Sequence, residues 1–200
     1  MKKFILASAS PRRKELLEVM GIDFDVVVSD ADEESVARNV PPELYVQELA
    51  LLKAAATAKL VLKNKQALII SADTIVTLDG EILGKPADIA DAERILSMLS
   101  GRAHEVYTGY CVMRLADGKT VCKSVCTKVH FKDIDSDTIK AYIDSGEPMD
   151  KAGAYGIQGR GSVLIDKISG DYFNVVGLPV SALYDTLNTE FDTDILKGEE

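Results

Sequence analysis

Two Asp-Gly pairs constrain this 200-residue chain more than any other feature. Asp79-Gly80 separates Thr74–Leu78 from Glu81–Leu83, and Asp117-Gly118 separates His104–Leu115 from Thr120–Phe131. Asp-Gly readily takes the positive φ angles of tight hairpin turns, so each pair predicts two antiparallel strands. Other segments follow a different pattern. Phe4-Ile5-Leu6-Ala7 reads as a buried strand, with Ser10 at a helix N-cap and Pro11 at the first helical position. Leu16, Leu17 and Met20 give that helix an apolar face, Gly21 ends it, and Phe24–Val28 is a second strand. Such βα units bring parallel strands together.

The rest of the chain continues the alternation. Asp30–Asn39 is an acidic loop, and Pro41-Pro42 opens a long helix to about Lys63. Ala67–Ala72 is an apolar strand with Asp73 at its end. Asp91–Ser100 is an amphipathic helix, and Ser136 caps another that runs to about Ser145. Residues 146–161 are glycine-rich and irregular, 161–168 form a strand, and 178–187 form the last helix. Parallel units mixed with hairpins predict an α/β protein with a mixed twisted sheet and flanking helices. With no linker or internal repeat, residues 1–190 read as a single two-lobed domain with a cleft, and 191–200 as a frayed tail.

Composition narrows the functional classes. Hydrophobic residues make up 46% of the chain, enough for a packed core. Lys and Arg number 23 against 32 Asp and Glu, a formal charge of −9. That balance argues against binding nucleic acid or anionic membranes, which need a cationic footprint. It leaves room for a small anion held by local charge. No segment approaches the ~20 apolar residues of a membrane span, and the N-terminal apolar run is too short for a signal peptide. Three cysteines, Cys111, Cys122 and Cys126, lack Cys-x-x-Cys spacing and read as reduced structural thiols of a cytoplasmic protein. Cys122 and Cys126 would share one face of a strand, and a reactive pair there is the less favoured reading. His104 and His130 have no zinc-ligand spacing, so a metal would be a hard ion on carboxylates and phosphate.

Six places carry candidate chemistry. Ser8-Ala9-Ser10-Pro11-Arg12-Arg13 lies between a strand and a helix, where free N–H groups attract phosphate. Two arginines in a first helical turn oppose the helix dipole, which implies an anion nearby; two solvated arginines on a capped helix are the plainer alternative. Asp73, with Thr74, ends a buried strand and reads as a general base, a metal ligand or a turn aspartate. Lys53 stands in the apolar helix and either snorkels to the surface or faces a bound anion. Lys85, in Gly84-Lys85-Pro86, is a stiffened loop cation. Asp32-Glu33-Glu34 is either solvated or a source of oxygen ligands. In Ala152–Gly159 the small residues would let backbone approach a ligand, and Gln158 can donate to and accept from a base edge.

Taken together these segments resemble one family. Ser8–Arg13, Ser71-Ala72-Asp73-Thr74, Gly84-Lys85-Pro86, Ser145-Gly146-Glu147-Pro148, Lys151–Gly159 and Val176-Gly177-Leu178-Pro179 look like the Maf (septum-formation-inhibitor) nucleotide pyrophosphatases. The order is the family's, and the resemblance covers residues 3 to about 188. It implies an elongated α/β fold with a deep cleft, similar to inosine-triphosphate pyrophosphatases. It also implies cleavage of a nucleoside triphosphate to the monophosphate and pyrophosphate. The family's catalytic aspartate falls on Asp73 and its cleft residues on Ser8, Arg12, Arg13, Glu33, Lys53 and Lys85, with Glu34 a neighbouring alternative to Glu33. Glu33 and Asp73 would hold Mg²⁺ or Mn²⁺. Arg13, Thr74 and Gln158 match the branch that prefers dTTP and UTP, and modified pyrimidine triphosphates would fit the same pocket. The 7-methyl-GTP branch has a tryptophan in its opening motif, and this chain has none. The partners implied are a small-molecule triphosphate and a second copy in a homodimer. A nucleotide-binding regulator of cell division without turnover is the competing reading.

Overall fold

A computed structural model describes residues 3–63 and 65–197; the last three residues of the expected tail lie outside them. The contacts divide the chain into two units, Met1–Asp73 with Thr108–Val125 and Gly177–Glu200, and Thr74–Tyr107 with Cys126–Val176.

The first unit begins with β1 (Phe4–Leu6), whose three residues are all buried. It pairs in parallel with β2 (Phe24–Val26), Phe4 facing Phe24, and with β3 (Leu68–Leu78), Phe4 facing Leu68. The helices α1 (Pro11–Val19) and α2 (Pro42–Leu60) make the two crossovers that parallel pairing requires. Ala50 and Ala54 of α2 are fully buried against Ile5, Ala7 and Ile69, where small side chains let the helix lie close to the sheet. The approach is closest at Gly109 of β5 (Ala103–Arg114), where a Cβ would lie 2.3 Å from the Val46 carbonyl. Only glycine fits there. On α6 (Val180–Phe191), Tyr110 Oη donates to the Ala182 carbonyl at 2.9 Å.

The second unit takes up the chain where β3 passes Asp73. There β3 pairs antiparallel with β4 (Glu81–Leu83), and β6 (Thr120–Phe131) with β7 (Ile165–Ser169). α3 (Ile89–Leu99) is capped by Asp88, whose Oδ1 accepts from the Asp91 N–H at 2.8 Å. α4 (Ser136–Ile143) packs beside it, and a short α5 (Tyr172–Val176) closes the unit. Ile95, Leu96, Leu99, Phe131, Ile139 and Leu164 form its core. Among the described residues the strand order is β2-β1-β3-β5-β6-β7, with β4 on β3, a mixed sheet as the pattern predicts. No described helix is long and apolar enough to cross a membrane.

Several expectations need correction. Asp73 does not end a strand: β3 runs eleven residues through it, because Thr74-Ile75-Val76-Thr77 is itself β-branched and pairs onward with β4. The cap of α4 is Asp135, which accepts from Thr138 N at 2.7 Å, rather than Ser136. Helix α5 occupies Tyr172–Val176, for which the pattern predicts no helix. Just beyond α6, Thr193 is buried and Asp194 accepts from Tyr184 Oη and from Leu196 N.

Candidate active site

The loop from β1 to α1 builds the first part of the site. Pro11 opens α1 with no N–H to satisfy, and Ser10 stands at the cap position without a side-chain cap bond. The buried Ser8 hydroxyl does the local work instead, accepting from Ser10 N and from Arg13 Nη1, both at 3.2 Å. Arg13 Nε donates to the Gly177 carbonyl at 2.9 Å. The guanidinium is thus fixed at two points, one of them on Gly177, 164 residues away in sequence. Burial lowers its pKa, while the charges of Asp73 and Glu33 pull it upward. Arg12 lies half-buried in the same turn.

Lys53 joins this loop to the carboxylates. Its Nζ donates to Asp73 Oδ1 at 2.5 Å and lies 3.0 Å from Glu33 Oε1. The Lys53 and Asp73 side chains are only 17% and 14% exposed, against 53% for Glu33. Lys53 therefore turns inward to two carboxylates instead of snorkelling. The acidic loop reaches it through a 3-10 turn, Glu33–Ser35, that presents Glu33. Of the two neighbours weighed from sequence, Glu33 is the one in contact. Two cations, Arg13 and Lys53, and two carboxylates, Glu33 and Asp73, are thereby gathered in the first unit.

The same geometry tests the metal. Glu33 and Asp73 offer hard oxygens converging on one cation, at present the Lys53 ammonium. The described residues contain no group of three or more His, Cys, Asp or Glu side chains suited to hold a metal. One or two carboxylates completed by phosphate oxygens and water is the usual Mg²⁺ arrangement. The donor set fits such an ion, carried in with a phosphate ligand, and does not fit a preformed protein cage.

Thr74, Lys85 and Gln158 belong to the second unit. Thr74 is half-buried on β3, Lys85 is exposed after β4, and Gln158 is half-buried in the glycine loop. That loop is held by Glu147, which stands in the Ser145–Pro148 motif, and by Tyr142, to which no sequence pattern points. Glu147 Oε2 accepts from Arg160 N at 2.9 Å, and Oε1 accepts from Gly161 N at 3.1 Å and Tyr142 Oη at 3.0 Å. Tyr142 Oη in turn accepts from Gly156 N at 3.1 Å. Gly159 has φ +83°, and a Cβ there would lie 2.9 Å from Glu147 Oε2. The glycines thus let backbone close around an internal carboxylate, where the sequence pointed to an external ligand. The segment holding Gln158 is tied on both sides. Burial opposes the Glu147 charge, yet the N–H groups of Arg160 and Gly161, Tyr142 and Lys151 lower its pKa on balance.

A family model described as Maf-like protein matches residues 3–190. The chain belongs to the Maf-like protein family. The resemblance carried by its motifs is borne out over nearly the whole length. A dTTP/UTP pyrophosphatase of Thermoanaerobacter sp. (strain X514) is 47% identical over 194 residues, 97% of this chain and 100% of the relative. A dTTP/UTP pyrophosphatase of Bacillus cereus (strain ATCC 10987 / NRS 248) is 49% identical, covering 98% of this chain and 93% of the relative. Among solved structures, a HAM1 protein from Coxiella burnetii aligns at 17% identity and TM-score 0.48, over 82% of this chain and 81% of that one.

Proposed function

We propose that this Maf-like protein hydrolyses dTTP and UTP, and modified pyrimidine triphosphates of similar shape, to the monophosphate and pyrophosphate. The observation that carries the reading is the ion cluster in which Lys53 bridges Glu33 and Asp73. The name shared by relatives 47% and 49% identical supports the substrate class. Asp73 accepts a proton from a water whose oxygen attacks the α-phosphorus. The α–β anhydride bond breaks, and its electron pair leaves on pyrophosphate. Lys53, bonded to Oδ1, fixes the carboxylate so that Oδ2 is the basic oxygen. Arg12, Arg13 and Lys53 offset the phosphate charge, with Ser8 orienting Arg13. A divalent ion, Mg²⁺ or Mn²⁺, held by Glu33 and Asp73 would supply charge stabilisation on the phosphates. The roles expected of Lys85 in charge neutralisation, and of Thr74 and Gln158 in base choice, are tested by substituting each alone. A homodimer is part of the same reading and is tested by light scattering.

The deciding experiment is pyrophosphate release from a panel of triphosphates with Mg²⁺ or Mn²⁺. Turnover should be highest with dTTP and UTP, and Asp73→Asn should lower it by ~100-fold or more, the usual worth of a general base. Binding of dTTP with no pyrophosphate released would replace the enzyme with a nucleotide sensor. Preference for 7-methyl-GTP would overturn the choice of substrate.

A further inference from the structure

The hairpin β5–β6 places two cysteines opposite one another. Gly118 N donates to the Arg114 carbonyl at 2.9 Å and Arg114 N to the Lys119 carbonyl at 2.8 Å, so residue 114 faces 119. Counting back along both strands, Cys111 faces Cys122 and Tyr107 faces Cys126. Side-chain interactions of Tyr107 with Cys126 and of Cys111 with Cys122 follow that register. Hydrogen-bonded and non-hydrogen-bonded pairs alternate along an antiparallel ladder. Three steps from the bonded pair 114/119, Cys111/Cys122 is therefore a non-hydrogen-bonded pair. Such pairs have Cα atoms about 4.5 Å apart, within the roughly 4.4–6.8 Å that a disulfide spans.

The surroundings distinguish the two thiols. Cys111 is fully buried with Ala50 and Ala54 of α2, and Cys122 packs on the same cluster while remaining half-exposed. Their shared hydrogen bond holds the Cys122 thiol below its ordinary pKa, while that bond and burial push Cys111 up. An accessible, more acidic thiol beside a buried partner is the arrangement of an attacking and a resolving cysteine.

We propose that Cys111 and Cys122 form an oxidation site whose reactant is a hydroperoxide, and that closing it slows hydrolysis through α2. With hydrogen peroxide, the Cys122 thiolate attacks one oxygen, the O–O bond breaks, Cys122 becomes a sulfenic acid, and the departing hydroxide takes up the proton that Cys122 gave up on ionising and leaves as one water. The Cys111 sulfur then attacks Cys122, the S–O bond breaks, and the departing hydroxide takes the Cys111 proton as a second water. Two thiols lose two electrons, and the peroxide gains them. The disulfide draws both sulfurs to ~2.05 Å beneath Ala50 and Ala54, which flank Lys53 on α2. The kinetic half of the proposal rests on the hydrolysis reading, and the chemical half does not.

The test treats the purified full chain with hydrogen peroxide and maps disulfides by mass spectrometry without reduction. A Cys111–Cys122 crosslink should form in the unaltered protein and in Cys126→Ser, and should be absent in Cys122→Ser and in Cys111→Ala. Cys111→Ala keeps an apolar core residue should serine unfold that site. Oxidation confined to Cys126, or a Cys122–Cys126 link, overturns the assignment. Pyrophosphate release from dTTP by the crosslinked protein should fall severalfold and return with dithiothreitol, with no such fall in Cys122→Ser. Equal turnover by reduced and crosslinked protein overturns the coupling to α2. A reduced protein that never hydrolyses dTTP refutes the hydrolysis reading instead, and the mapped crosslink still decides the site.

Discussion

Lys53 holds the first unit's candidate site together, and its role is set by geometry more than by charge. One ammonium meets Asp73 Oδ1 at 2.5 Å and Glu33 Oε1 at 3.0 Å. A guanidinium is planar and wider, so Lys53→Arg preserves the charge without the compact three-way contact. Turnover with dTTP should fall in Lys53→Arg, and Lys53→Met should lose ~100-fold or more, as when an electrostatic donor is removed. Steady-state pyrophosphate release checks both, and near-normal turnover in Lys53→Arg would mean that charge alone suffices. Apart from the family resemblance, Lys53 reads in the sequence as a cation in an apolar helix that either snorkels outward or faces an anion. Whether such a residue turns inward depends on partners far along the chain, since Asp73 lies 20 residues away. Arg13 has the same property. Its place opposite a helix dipole was readable as a demand for compensation, but the Gly177 carbonyl that meets it leaves no local signature.

At the scale of elements, turn chemistry was legible and close packing was not. The Asp-Gly hairpins follow from two residues each, and β3–β4 forms at Asp79-Gly80 as that local rule requires. Both segments of β3 read locally as strands, but their fusion through Asp73 into one strand, paired with β1 at one end and β4 at the other, does not. Gly109 reads as an unremarkable strand glycine until α2 lies on it. Gly109→Ala would drive a methyl into the Val46 carbonyl, backbone against backbone, with no side chain able to give. A cost of ~1–3 kcal/mol or more is expected from such overpacking, read by urea unfolding, with turnover falling as α2 moves Lys53. An alanine as stable as glycine would show that α2 shifts freely. The glycine loop makes the companion case. Glu147→Gln keeps the shape but replaces one accepting oxygen with a donor, so one of the Arg160 and Gly161 N–H groups loses its acceptor. That should cost ~1–3 kcal/mol and speed amide exchange at those two residues. Protection unchanged from the unaltered chain would show that the carboxylate does not hold the loop.

For the whole molecule, the charge of −9 is compatible with a small anionic ligand because of where the charges lie. Arg13 and Lys53 face Glu33 and Asp73, so the site is locally balanced, and added phosphate charge must displace or share those partners. Stability against acid depends on a different group, His104. Its ring is 2% exposed, packs edge-on against Phe131 and Tyr155, and bonds Tyr155 Oη through Nε2 at 2.7 Å, while Nδ1 has no partner. Burial, with the nearby His130 charge, lowers its pKa from 6.5 to about 4. The unfolded chain therefore binds a proton between those values that the folded chain refuses. The stabilisation from a neutral His104 is complete above pH 6.5 and drains away as the pH falls toward 4, by ~3 kcal/mol in all. Surface carboxylates such as Asp117, whose pKa Arg114 lowers to about 2, act mainly at lower pH. His104→Gln isolates the effect, because the amide still reaches Tyr155 and does not titrate. The unfolding free energy of the unaltered protein minus that of His104→Gln should climb between pH 4 and 6.5 and stay level above. A difference that is flat across that window would mean the buried imidazole is hydrated or protonated in the native state.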